Sequence, residues 1–237
     1  PDPSAPPALD VVFEDAWFCV VNKPAGLAVQ PDLRGQDSLM DRVSRYLAGQ
    51  PVFLIHRLDL PVCGLVVLAK TAAIQAALSQ PRTQSGFTKT YRAVVSPVPR
   101  LPAAQLNDFL QKSPSGNLSL VVAPGTPGAK RAELSYRLVA QSQSAGLPLG
   151  LLEVQLITGR HHQIRVQLAH AGFPIVGDRK YGAQVGENGL NSRAVFPALQ
   201  ACAVQLNHPV TGEVMRWTIE RPTHWPWNCF DSVAQVL

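Results

Sequence analysis

The amino-acid sequence predicts an α+β protein: a mixed, largely antiparallel central sheet flanked by helices. Two observations lead there. Strand-like segments outnumber helical ones along the whole chain, and no internal repeat is visible that would make a solenoid or propeller. With 237 residues, of which 46% are hydrophobic and 16% charged, the chain can bury one sizeable core. A single domain over residues 11–237 is therefore expected, behind a flexible proline-rich arm over residues 1–10.

The arm follows from four prolines in Pro1–Ala8, which exclude both helix and central strand. Val11–Phe13 and Phe18–Val21 read as short strands around an Asp-containing turn, and Asn22-Lys23-Pro24-Ala25-Gly26 then ends a strand at a cleft. Ser38–Leu47 places Leu39, Met40, Val43 and Leu47 at helical spacing behind Asp37 or Ser38 as N-cap. Leu65–Ala69 is a continuous apolar run of strand length, and Thr71–Ser79 follows as a helix with Ile74, Ala77 and Leu78 on one face. Thr88–Ser96 alternates, putting Lys89, Tyr91 and Ala93 on one side of a strand that Pro97 and Pro99 stop.

Short strands over Leu106–Gln111 and Leu118–Val122 form a meander. Ala132–Val139 and Leu149–Ile157 form a hairpin across a polar turn. Arg160–His170 reads as a helix, with Ile164 and Leu168 on its buried face and Arg165 on a neighbouring one. Phe196–Leu206 and Met215–Ile219 flank a His208-Pro209-Val210-Thr211-Gly212 turn before an aromatic tail.

Charge narrows the partner. Twenty-one basic against sixteen acidic residues give a formal charge of +5 and a pI near 9.3, which points to an anion: RNA, DNA or a phosphorylated metabolite. The four cysteines lie far apart with no C-x-x-C pair, so buried reduced thiols are expected rather than a zinc ribbon or a disulfide framework. No apolar run has membrane-spanning length and no signal-peptide pattern opens the chain, so a soluble, cytoplasmic protein is expected.

Several chemistries fail on spacing. His161, His162 and His170 diverge too far around a helix to share a metal. No G-x-S-x-G elbow is present, and Pro124–Gly128 lacks the spacing of a phosphate-cradling loop. What stands out is Phe53–Lys70, FLIHRLDLPVCGLVVLAK. There Asp59 is the only carboxylate between Asp41 and Asp108, over a span whose positive residues include Arg45, Arg57, Lys70, Lys89, Arg92 and Arg100. A structural ion pair explains such a residue nearly as well as a buried nucleophile held ionised by a guanidinium from Arg57, Arg160 or Arg165.

Three segments, in order, carry a resemblance. His56–Lys70 matches H-R-L-D-x-x-T-S-G-L-L-L-L-A-K, Lys89–Ala93 matches K-x-Y-x-A, and Leu156–Leu168 matches L-x-T-G-R-T-H-Q-I-R-V-H-L. The chain thus resembles the RluA family of pseudouridine synthases. Weaker matches at VVNKPAGLAV, FPIVGDRKYG and LNHPVTGE extend the likeness from about Val11 to Pro222.

The resemblance implies a pseudouridine synthase fold with an RNA-binding active-site cleft. It implies an isomerase that needs no cofactor and no metal, acting as a monomer on a tRNA or rRNA stem-loop. Asp59 would break the N-glycosidic bond of a uridine, which then rejoins through C5. Tyr91 would pack on the base, Arg165 would partner Asp59, and Arg57 would fill the space the flipped base leaves. His56 and Lys89 belong with Arg57 among the RNA-contacting residues of these motifs, while Arg160, His162 and Gln163 would hold the RNA backbone or the sheet-to-helix turn.

Among the departures from the family, Val62-Cys63 replaces Thr-Ser, His161 replaces the Thr of G-R-T-H, and Leu60 and Pro61 replace commoner polar residues. Some relatives carry a small RNA-binding module where this sequence has the proline-rich arm, so grip on RNA is expected from the basic face of the catalytic domain. An RNA-binding or RNA-folding factor with lost catalysis, and a phosphometabolite enzyme, are the competing readings.

Overall fold

The structure is a computed structural model that describes residues 9–31, 35–81, 85–114, 116–182 and 194–232. Residues 1–8 of the expected arm lie outside this range, while Asp10 already opens the first strand. The contacts divide the chain into two compact units, residues 1–87 with 203–219, and residues 88–202 with 220–237.

The first unit is built on β1 (Asp10–Glu14), β2 (Phe18–Lys23), β3 (Phe53–Leu54) and β4 (Cys63–Ala69), with Ala203–Asn207 of β10 (Leu199–Asn207) and β11 (Val214–Thr218). The pairings β1 to β2, β2 to β4, β3 to β4 and β10 to β11 are antiparallel. Apolar side chains from three of these strands and a helix make its core: Phe18, Val20, Leu65, Val67, Val204, Leu206 and Leu78. Because Cys63–Ala69 is buried on both faces, its sequence is continuous rather than alternating.

Helix α1 (Leu39–Tyr46) buries Leu39 and Val43 and starts with a capping box, in which Ser38 and Asp41 satisfy one another's backbone N–H groups. Helix α2 (Ala72–Leu78) is capped by Thr71 Oγ1, which accepts from Ile74 N.

In the second unit, β5 (Thr88–Val95), β6 (Ala103–Lys112), β7 (Ser119–Val122), β8 (Lys130–Ser144) and β9 (Leu147–Leu156) pair antiparallel in the order β5-β9-β8-β6-β7. Helix α3 (Gln163–His170) buries Ile164 and Leu168 as its spacing predicts. A short 3-10 turn (Trp227–Phe230) holds part of the aromatic tail, with both end rings buried.

The fold is α+β, as predicted, and the departures are local. The hairpin runs longer than expected: β8 continues through the polar Gln141–Ser144 to a two-residue turn at Ala145 and Gly146, whose positive φ of 51° and 78° suits the strand twist. The strand expected from Phe196 starts at Leu199, because Pro197 donates no N–H and Val195 and Phe196 are exposed. The helix expected from Arg160 starts at Gln163, because His162 takes a left-handed φ of 54°.

Candidate active site

Asp59 lies in the loop between β3 and β4, half-buried. That loop leaves the sheet and returns to it, since Leu54 and Leu68 are register partners. His56 ties it down part-way: its Nε2 accepts from Val67 N at 3.1 Å and its ring packs on Phe87 at 5.1 Å. Leu58, directly before Asp59, is buried, while Arg57, two residues before the carboxylate, is exposed, so the chain anchors at Leu58 and Arg57 reaches solvent.

The turn after Asp59 is strapped from below by the Lys23–Gly26 segment. Val62 N donates to Asp59 O at 3.0 Å and Gly26 N to Leu60 O at 2.9 Å. Lys23, wholly buried, donates from Nζ to Pro24 O (2.9 Å), Leu27 O (2.8 Å) and Leu60 O (3.2 Å). An ammonium has three N–H donors, and here each has a carbonyl. Burial pushes its pKa down to about 8, against the opposing pull of Cys63 and Asp59. The pairing of Lys23 with Gly64 across β2 and β4 is what brings this cation beneath the loop.

In the second unit, Lys89 and Tyr91 stand two residues apart on β5, with Tyr91 buried opposite Val154. Burial lowers the Lys89 ammonium to about 8 as well. At the start of α3, Gln163 is committed to the turn: its Oε1 accepts from Thr158 Oγ1 and Arg160 N, both at 2.9 Å, and its Nε2 donates to Glu133 O at 3.0 Å. Arg160 is exposed and donates from Nε to Arg131 O. His162 is buried, with Nδ1 2.8 Å from the Tyr181 hydroxyl. Arg165 forms a two-pronged ion pair with Asp178, at 2.7 and 2.8 Å. Among the described residues, no three His, Cys, Asp or Glu side chains gather as a metal site requires, and no helix is long and apolar enough to cross a membrane.

A family model described as RNA pseudouridylate synthase matches residues 18–170, a span that contains Asp59, Tyr91 and Arg165. The chain belongs to the RNA pseudouridylate synthase family. It is accordingly an isomerase of uridine in RNA. It is 34% identical over 212 residues to the uncharacterized RNA pseudouridine synthase YhcT of Bacillus subtilis, an alignment covering 87% of this chain and 67% of that one. To the ribosomal large subunit pseudouridine synthase D of Zymomonas mobilis it is 30% identical over 226 residues, covering 90% and 69%.

The fold is shared with two human proteins. RNA pseudouridylate synthase domain containing 1 superposes with a TM-score of 0.74 at 22% identity, over 91% of this chain and 84% of that one. Domain containing 4 does so with 0.70 at 24% identity, over 90% and 88%.

At two of the departures from the pseudouridine synthase motifs, the structure shows what holds the chain. The turn at Val62-Cys63 is held by backbone N–H groups and by Lys23, and Val62 packs inward at 2% exposure. Burial pushes the Cys63 thiol up, which keeps it protonated. His161 has its own partners: Nε2 lies 2.7 Å from Asn117 Oδ1, Nδ1 lies 2.9 Å from Ser119 Oγ, and the ring stacks on His162 at 3.8 Å.

Sequence reasoning placed Lys23 at a strand end and missed that it straps the loop bearing Asp59. The signal was a lysine closing the otherwise apolar run FCVVNK. It also missed Asp178 and Tyr181, although both sit in the FPIVGDRKYG match.

Proposed function

We propose that this chain flips a uridine out of a stem-loop of ribosomal RNA and isomerises it, with Asp59 as the carboxylate that acts at C1′. The observation that carries the reading is the strapped loop: Asp59 stands half-buried on a turn fixed by Lys23, Gly26 and Val62. A carboxylate so held meets developing positive charge at C1′ without reorganising.

The N1–C1′ bond breaks, the base turns, and C5 bonds to C1′. The proton on C5 then leaves and N1 ends protonated, so atoms and electrons balance within the nucleotide and no cofactor is needed. Tyr91 packs on the base and the Arg165 guanidinium supports the charge that develops in the reaction. The exposed Arg57 fills the vacated stack, offsetting a few kcal/mol of unstacking. Arg57, Lys89 and Arg160 contact phosphates, while His56, His162 and Gln163 hold the turns that carry them. Ribosomal RNA is favoured by the name of the Zymomonas mobilis relative, and a cytoplasmic monomer suffices for such a step.

The test uses total RNA from cells lacking the gene. Purified protein is expected to introduce pseudouridine at a small number of ribosomal sites, and the Asp59→Asn variant at none. Retention of RNA without conversion would sink the catalytic reading, and conversion of tRNA alone would sink the ribosomal one.

A further inference from the structure

The guanidinium of Arg165 is gripped along one edge. Nε donates to Asp178 Oδ2 at 2.7 Å and Nη2 to Asp178 Oδ1 at 2.8 Å, with the two side chains only 3% and 0% exposed. A fork bound along its Nε to Nη2 edge keeps one orientation, and its Nη1 edge then points in one fixed direction.

The carboxylate is itself held by the turn that bears it. Oδ1 accepts from Lys180 N at 3.0 Å and from Tyr181 N at 3.3 Å. Gly177 makes that turn possible: its φ is +83°, and a Cβ there would lie 2.4 Å from Phe196 O. The Tyr181 ring centre is 5.2 Å from the guanidinium carbon. Its hydroxyl accepts from Ser119 N at 2.7 Å and lies 2.8 Å from His162 Nδ1.

Stability alone is a weak reason for this arrangement, because a sealed ion pair does little better than apolar packing once desolvation is counted. Its distinguishing property is direction. We infer that Asp178 is a positioning residue for the isomerisation, holding the Arg165 guanidinium aimed, with Tyr181 as its platform. The inference rests on the proposed role of Arg165. Asp178 touches no substrate and acts only through that side chain.

The experiment measures, for the purified full chain and its variants, the single-turnover rate of pseudouridine formation on total RNA from cells lacking the gene. Retention of that RNA on filters and the thermal midpoint are measured alongside. Asp178→Asn is expected to slow turnover roughly tenfold or more while RNA retention stays within about threefold. Because both act through one group, adding Arg165→Lys to Asp178→Asn is expected to cost little beyond the slower single variant. Formate added to Asp178→Gly is expected to restore part of the rate.

A purely structural role predicts something else: rate and RNA retention falling together in step with the folded fraction, and no response to formate. That result, or a folded Asp178→Asn with the wild-type rate, overturns the inference. Should Asp178→Asn not fold, Asp178→Glu decides in its place: it keeps the charge but displaces the fork, so turnover is expected to fall while RNA retention holds. A wild-type rate in Arg165→Lys removes the proposed role of Arg165 and the inference with it. A wild-type rate in Asp59→Asn instead removes the proposed function, whatever Asp178 does.

Discussion

Lys23 shows how much a single buried group can organise. Its ammonium joins the carbonyls of two segments, and its pKa falls from 10.5 to about 8. Since the unfolded chain binds a proton that the folded one lacks between those values, stability rises with pH across that window and the cost is present in full below it. For Lys23 the whole effect is about 3 kcal/mol. Lys89 acts with the same sign. Cys19 acts oppositely above pH 9, because burial pushes its thiol from 9.0 up to about 12 and only the unfolded chain then ionises. Between pH 8 and 9, urea unfolding is therefore expected to show stability increasing with pH, and Lys23→Met to flatten that slope. Asp59→Asn is expected to lower turnover by roughly a thousandfold or more, about 4 kcal/mol, with a nearly unchanged thermal midpoint because the side chain is half-exposed. Cys63→Ser is expected to leave turnover within about threefold, since backbone bonds hold the turn, and the same single-turnover assay checks it.

Local pattern was enough to find most elements. Leu39 and Val43 face the core of α1, and Ile164 and Leu168 that of α3, at the spacing the sequence shows. What it could not show was where backbone conformation breaks a pattern. The left-handed φ at His162 shortens α3, and the polar Gln141–Ser144 reads as loop although it pairs with Leu147–Gly150 in a hairpin. The turn at Gly177 is a sharper case. Because its positive φ and the nearby Phe196 carbonyl both exclude a side chain, Gly177→Ala is expected to cost about 2–4 kcal/mol. Calorimetry should register this as a lower thermal midpoint, with turnover falling as Asp178 moves.

Over the whole chain, the formal charge of +5 makes association with RNA salt-dependent. The logarithm of affinity is expected to fall linearly with the logarithm of salt concentration, and Arg57→Ala and Arg160→Ala each to reduce that slope by about one. Filter binding from low to high salt checks it, and an unchanged slope would remove those residues from the phosphate contacts. The α+β class, the family and the candidates Asp59, Tyr91 and Arg165 were all legible in the sequence, because motif spacing and side-chain periodicity are written within a few residues. Tertiary structure alone decided what holds them. Lys23 meets Leu60 across 37 residues because β2 and β4 pair in a register that sets Lys23 opposite Gly64. Arg165 finds Asp178 thirteen residues on because the turn at Gly177 brings the chain back to α3. The cation beneath the loop of Asp59 is placed by strand register rather than by any local signal.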